Sequence, residues 1–207
     1  QMEKWDLGYG STLRALFPRL VYAQITGYGS NGPMAGLPGF DAIAQVMSGL
    51  ASINGVPNEP PVRVGTPISD LSAGLYITSA IMMALYERGA TGLGQKVEVS
   101  LLDCSVSLLH PHAANYFVTG EAPVRMGNAH PNISPYQMFR TANCWIFIAG
   151  GNNKQFKQLV SFLSMPELIR DERFVDNASR KTHETALNMI LAPLFKEQDG
   201  FLLPQEL

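Results

Sequence analysis

Apolar and polar positions change period several times along the chain, and each change marks an element. From Arg19 to Thr26 (RLVYAQIT) the apolar residues cluster near the centre instead of alternating, the pattern of a strand covered on both faces in a parallel sheet. The breaker-rich loop Gly27-Tyr28-Gly29-Ser30-Asn31-Gly32-Pro33 follows it, and then Leu37-Pro38-Gly39. Ala42, Ile43, Val46 and Leu50 form the apolar stripe of a helix from about Asp41 to Leu50, with Asp41 as its cap. A Pro- and Asn-rich turn covers 55–61, and Val62 to Gly65 is extended. A long uncharged helix begins near Asp70. Ala73, Ile77, Ala80 and Ala84 recur on it at helical spacing as a small-residue face, and Gly89 is expected to end it. Lys96 to Ser100 alternates as a strand with Val97 and Val99 inward. Ser100 and Asp103 form a capping box for a helix from Leu101 to about Leu109.

The second part reads differently. Gly120 to Pro135 is a long connection. Tyr136–Phe139 and Cys144–Ala149 are two strands around a turn at Thr141-Ala142-Asn143. Gly150-Gly151-Asn152-Asn153 opens a helix from Lys154 to Leu163, and another helix covers Ser179 to Phe195, its end disturbed by Pro193. Strands alternating with helices, the early ones buried, predict an α/β fold: a Rossmann-like larger domain with a parallel sheet over 1–126, and a linker loop with the start of a smaller α/β domain over 127–207.

Composition narrows the function classes. A formal charge of −2 over 207 residues with no basic run disfavours nucleic acid and anionic membrane as partners. The uncharged stretch Leu71 to Tyr86 is short for a membrane span and reads as a buried helix. Cys104 and Cys144 make no disulfide framework, which fits a reducing compartment. The expected location is cytoplasmic, or mitochondrial in a eukaryote. His110-Pro111-His112 invites a metal reading, but Pro111 breaks the helix between the two and no third ligand is evident, so no metal site is expected. The start at Gln1 and the apolar end at Phe201-Leu202-Leu203 and Leu207 suggest an internal piece of a longer chain.

Four places carry candidate chemistry. Asp70, between an extended segment and an apolar helix, is an N-cap on the ordinary reading; on the functional one it is a carboxylate held ionised and able to attack an activated carbonyl. Tyr28, between Gly27 and Gly29 at the end of a buried strand, stands where ligands of open α/β sheets bind, and the two glycines allow close approach to the backbone; a turn with a surface tyrosine is the simpler reading. Gly127-Asn128-Ala129-His130-Pro131-Asn132 form either a mobile lid or a plain interdomain connection. Gly150-Gly151 before a helix is an anion-site candidate that a tight turn explains equally well.

The segments ITGYGSNGP (25–33), PGFDAIAQVMSGL (38–50), PPVRVGTPISDLSAGLY (60–76), ATGLGQKVEVSLLD (90–103), ANYFVTGE (114–121), GNAHPNISPYQMF (127–139) and AGGNNKQF (149–156) resemble, in order and spacing, the family III coenzyme A transferases, which include formyl-CoA transferase and the CaiB/BaiF proteins. The resemblance implies the family fold, Asp70 as nucleophile, a CoA-contacting strand end at Ile25 to Tyr28, and a glycine loop over the site at Gly127 to His130. That loop is polyglycine in formyl-CoA transferase and GNAH here, which points away from formyl or oxalate substrates; the overall pattern is closer to transferases handling dicarboxylates such as succinate or glutarate. The implied reaction moves CoA from an acyl-CoA to a carboxylic acid through an aspartyl anhydride and an enzyme thioester. CoA and acyl-CoA act as substrates, with no permanently bound cofactor, and the subunits form an interlocked homodimer.

Two alternatives remain. The α-methylacyl-CoA racemases resemble this region but carry histidine where Gly39-Phe40-Asp41 has Phe40, and phenylalanine transfers no proton. A non-catalytic acyl-CoA-binding or dimerisation fragment is the alternative of another class.

Overall fold

The computed structural model describes residues 2–203. The termini Gln1 and Leu207, on which the reading of an internal piece drew, lie outside that range. The chain forms two compact units, the first ending at Arg125 and the second beginning at Met126.

The first unit opens with short helical turns, among them α1 (Arg14–Leu16), and enters β1 (Tyr22–Thr26). Helices α2 (Asp41–Met47), α3 (Leu50–Ile53) and α4 (Ile68–Thr91) follow, then β2 (Lys96–Ser100), α5 (Leu101–Ser107) and α6 (His112–Thr119). Strands β1 and β2 pair in parallel, Tyr22 opposite Lys96 and Thr26 opposite Ser100. The connection between them is helical, as a parallel pair requires. Ala44, Ala73, Leu101 and Cys104, with Val99 against them, form the core where α2, α4 and α5 meet. Small side chains there let the helix axes approach closely.

Three expectations need correction. Strand β1 is covered on one face only: Ala23 and Ile25, on one face, are exposed, while Tyr22, Gln24 and Thr26, on the other, are half-buried. The long helix runs past Gly89 to Thr91 and stops at Gly92, whose φ of +75° is the left-handed C-terminal conformation that glycine adopts without strain. It is also not buried all round. Ser69, Ser72, Ala73, Ile77 and Ala84 face the core, whereas Leu71, Leu75, Met82, Met83 and Tyr86 are exposed. By length and composition alone α4 is apolar enough to cross a membrane.

The second unit holds the antiparallel hairpin β3 (Tyr136–Arg140) and β4 (Trp145–Ala149), then α7 (Asn153–Phe162), α8 (Asn177–Thr182) and α9 (Glu184–Lys196). Its core is larger and more apolar, with Phe156, Phe174, Leu187, Leu191 and Phe195 buried. The single helix expected over Ser179–Phe195 is two, since α8 ends at Thr182 and α9 restarts at Glu184. Pro193 does not end α9, which continues to Lys196; a proline in the last turn removes only one hydrogen bond of the ladder. Arg180 is fully buried in this unit. Its Nε donates to Ser134 O (2.9 Å), Nη1 to Phe174 O (3.1 Å) and Nη2 to Asn153 Oδ1 (3.0 Å), and its guanidinium lies 4.4 Å from the Phe156 ring centroid.

Candidate functional site

Strand β1 delivers Ile25 and Thr26 to its carboxyl end, and Gly27 turns the chain. Gly27 O accepts from Leu102 N–H (3.1 Å), tying the turn to the start of α5, and Thr26 Oγ1 accepts from Gly29 N–H (2.8 Å). The two glycines serve the fold before they serve a ligand. A Cβ on Gly27 would stand 2.6 Å from Gly39 Cα, so the two loops touch backbone to backbone. Gly29 has φ +85°, which disfavours any other residue in the turn.

Asp70 sits in the first turn of α4, two residues after the helix begins at Ile68. It is not the N-cap. Pro67 occupies that position without a side-chain bond, and the cap function comes from a distant residue: Asp41 Oδ1 accepts from Ser69 N–H at 2.8 Å. This also corrects the reading of Asp41, which caps α4 and not its own helix; α2 has Phe40 at its N-cap and no side-chain cap bond. The Asp70 carboxylate is exposed and accepts no hydrogen bond from the described residues. It keeps the favourable field of a 24-residue helix at its N-terminal end without being consumed as a cap.

A cavity of about 720 Å³ brings Asp70 together with Ile25, Thr26 and Gly27; Pro38, Gly39, Phe40 and Leu101 complete much of its wall. Tyr28 does not line it, although the neighbouring Gly27 and Gly29 do. Phe40 stands in the wall, 68% exposed, as an apolar surface with no proton to exchange. Ser30 lies on the rim and bonds to Glu98, 2.5 Å from its Oε1, while Lys96 reaches the same carboxylate at 2.9 Å. Burial pushes the Glu98 carboxyl up, but Ser30 and Lys96 together outweigh it and bring it below its ordinary value.

Gly127 to His130 belong to the second unit. Gly127 has φ +62°, and Gly127 and Asn128 are exposed. The His130 end is anchored: Lys181 Nζ donates to His130 O (2.7 Å), its Nδ1 accepts from Asn132 N–H (3.0 Å), and its ring packs edge-on against Tyr136. Gly150 and Gly151 make the strand-to-helix turn, with Asn152 Oδ1 capping α7 by accepting from Gln155 N–H at 2.9 Å. Among the described residues, no three His, Cys, Asp or Glu side chains converge as a metal site.

Sequence reasoning missed Gln45, Ser69 and Ser105, which are buried around the start of α4. Gln45 lies one helical turn after Asp41, a spacing that places both on one face, and this was the only local signal of their partnership.

The profile of CoA-transferase family III matches residues 1–200. The succinate–glutarate CoA-transferase of Agrobacterium fabrum is 40% identical over 191 residues, which are 92% of this chain and 48% of that protein. The acetyl-CoA:oxalate CoA-transferase of Acetobacter aceti is 38% identical over 198 residues, 95% of this chain and 51% of that protein. The crystal structure of a CaiB/BaiF family protein from Brucella suis superposes with a TM-score of 0.78 at 40% identity, covering 99% of this chain and 54% of that one. The chain thus spans about half the length of the relatives it matches. With the parallel β1–β2 unit, the ordered motifs from Ile25 to Phe156 and a family match across nearly every residue, this chain belongs to the family III CoA transferases.

Proposed function

We propose that the protein transfers coenzyme A from an acyl-CoA thioester to a carboxylic acid, with Asp70 as the nucleophile. The observation that carries the reading is the placement of Asp70: an exposed carboxylate in the first turn of α4, lining a 720 Å³ cavity, while Asp41 does the capping. An oxygen of Asp70 attacks the thioester carbonyl, forming a mixed anhydride and expelling CoA thiolate. The thiolate then attacks the aspartyl carbonyl, releasing the donor acid and leaving an enzyme thioester. The acceptor carboxylate attacks that thioester to form a second anhydride and free the thiolate. Thiolate attack on the acceptor carbonyl yields the new acyl-CoA and restores Asp70. Each anhydride is prone to hydrolysis, so the chemistry requires exclusion of water, and Gly127 to His130 is the segment proposed to supply it. Ile25 to Gly27 contact CoA, with Tyr28 beside them in the turn.

The acceptor is a dicarboxylate of the succinate or glutarate class, a reading supported by the overall sequence pattern and by the Agrobacterium relative's activity. The active form is an interlocked homodimer in a cytoplasmic or mitochondrial setting. A donor–acceptor screen on the full-length protein, following CoA exchange by mass spectrometry, tests the proposal. Succinyl-CoA with glutarate is expected to give glutaryl-CoA. Exchange with oxalate or a monocarboxylate, but with neither succinate nor glutarate, would overturn the acceptor class. Absence of exchange with any acid would overturn the transferase.

A further inference from the structure

We infer that Asp41 and Gln45 form a positioning pair whose hydrogen-bond polarity holds Asp70 in its reactive place. This rests on the transferase reading with Asp70 as nucleophile. The two residues lie one turn apart on α2, and Gln45 is fully buried. Asp41 Oδ1 accepts from Ser69 N–H and Oδ2 accepts from Gln45 Nε2, both at 2.8 Å. Gln45 Oε1 in turn accepts from Val64 N–H at 2.8 Å, and its Nε2 lies 3.4 Å from Val64 O and 3.5 Å from Thr66 O. One helix face thus grips the segment leading to Asp70 at both ends, at Val64 and at the residue before the nucleophile. The Ser69 hydroxyl, 2.7 Å from that of Ser105, ties the same point to α5.

The direction of these bonds is fixed from outside. The Ser69 and Val64 partners are backbone N–H groups, which donate and cannot turn over. Between two fixed donors the chain must read acceptor–acceptor at one residue and donor–acceptor at the other. A carboxylate at 41 and an amide at 45 satisfy this. Asparagine at 41 does not: it offers one oxygen to two donors. Turning the Gln45 amide round to receive from it would point the Gln45 NH₂ at Val64 N–H. The conflict moves along the chain but is not removed, and a buried donor left without an acceptor is costly. The exchange Asp41→Asn with Gln45→Glu restores the order of donors and acceptors between Ser69 N–H and Val64 N–H and keeps the net charge, and its recovery is partial because Val64 O and Thr66 O lose the Gln45 NH₂ that lies near them. The introduced asparagine would give its oxygen to Ser69 N–H and its NH₂ to one oxygen of the introduced glutamate, whose other oxygen would receive Val64 N–H.

The single variants Asp41→Asn and Gln45→Glu, the double variant and Asp70→Ala are compared in the full-length enzyme. Steady-state CoA exchange and thermal unfolding are measured for each. Asp41→Asn is expected to leave KM for the acyl-CoA within about threefold and to lower kcat by on the order of 10²-fold, the scale of a 1 Å misplacement of a reacting group. The double variant is expected to recover at least tenfold of that loss. A purely structural role predicts neither the split nor the recovery. A folded Asp41→Asn enzyme with kcat within threefold of wild type overturns the inference. So does a folded double variant no better than Asp41→Asn. If Asp41→Asn does not fold, the double variant must fold and turn over within tenfold of wild type; its failure on either count also overturns the inference. A wild type without exchange, or an Asp70→Ala enzyme with full turnover, defeats the transferase reading itself and is told apart from these outcomes by those two samples alone.

Discussion

Replacing Gly27 by alanine tests whether the contact between the β1 turn and the Pro38-Gly39 loop shapes the cavity. The added Cβ would lie 2.6 Å from Gly39 Cα and 2.7 Å from Gly39 N, against 3.4 Å for ordinary contact, so the loops must separate by the difference of 0.8 Å. Both opposing atoms are backbone, and no side chain can swing aside. Gly27 does not have positive φ, so the cost is steric and not conformational. Overpacking of this kind costs about 1–3 kcal/mol. The same displacement moves Pro38, Gly39 and Phe40 relative to Asp70 in the cavity wall, which is expected to lower transferase turnover by tenfold or more, as an order of magnitude. Gly39→Ala presses on the same gap from the other side, so the double variant is expected to cost clearly less than the sum of the single ones. Urea denaturation gives the stability and CoA exchange gives the turnover. Stability unchanged within about 0.5 kcal/mol, or full additivity of the pair, would refute the steric argument.

Four further outcomes follow from the structure. Arg180→Met leaves Ser134 O, Phe174 O and Asn153 Oδ1 without their donor and is expected to destabilise the second unit by about 1–3 kcal/mol; hydrogen exchange at Leu187 and Leu191 reports it, and an unchanged or raised stability would contradict the role given to the buried guanidinium. Asp176 caps α8, and the backbone N–H of Ser179 holds its carboxyl below the usual range. Its contribution to stability is therefore complete above the unfolded value of about 3.9 and is lost as pH falls through the lower folded value; a carboxyl titration by NMR that places Asp176 at or above 3.9 would refute the cap. The Arg173 side chain, 2.7 Å from Asp171, holds that carboxyl down to about 2, and Arg173→Ala should return it towards its ordinary value in the same titration. With Phe40 in the cavity wall, deuterium uptake at C2 of a 2-methylacyl-CoA in deuterated water should be slower than CoA transfer, and the opposite order would revive the racemase reading.

What could be read from the sequence was local. The Ser100–Asp103 capping box is present as expected, with Ser100 Oγ accepting from Asp103 N–H at 3.0 Å and donating to Asp103 Oδ2 at 2.6 Å, because cap and partner are three residues apart. The Asn-rich start of α7 was legible for the same reason. The cap on α4 was not, since Asp41 and Ser69 are 28 positions apart and Asp70 looked equally suited by type and position. The stop of α4 at Gly92 was missed because Gly89 and Gly92 lie three residues apart at the end of the same helical pattern, and only φ distinguishes the one that is left-handed. The contact of Gly27 with Gly39 leaves no periodic trace; each glycine reads alone as a loop residue. The exposed face of α4 also lay beyond pattern reasoning, because an apolar helix gives the same signal whether neighbours cover one side or all of them.

Trapping the covalent intermediate tests the role of Asp70 as nucleophile most directly. The full-length protein is incubated with an acyl-CoA in the absence of acceptor, quenched in acid, digested and analysed by mass spectrometry. The peptide containing Asp70 is expected to gain CoA with loss of one water, the mass of an aspartyl thioester. The adduct should vanish when acceptor acid is added before the quench, and it should not form in Asp70→Ala. CoA or acyl modification on any other residue, or exchange at full rate with no adduct on Asp70, would rule Asp70 out as the nucleophile.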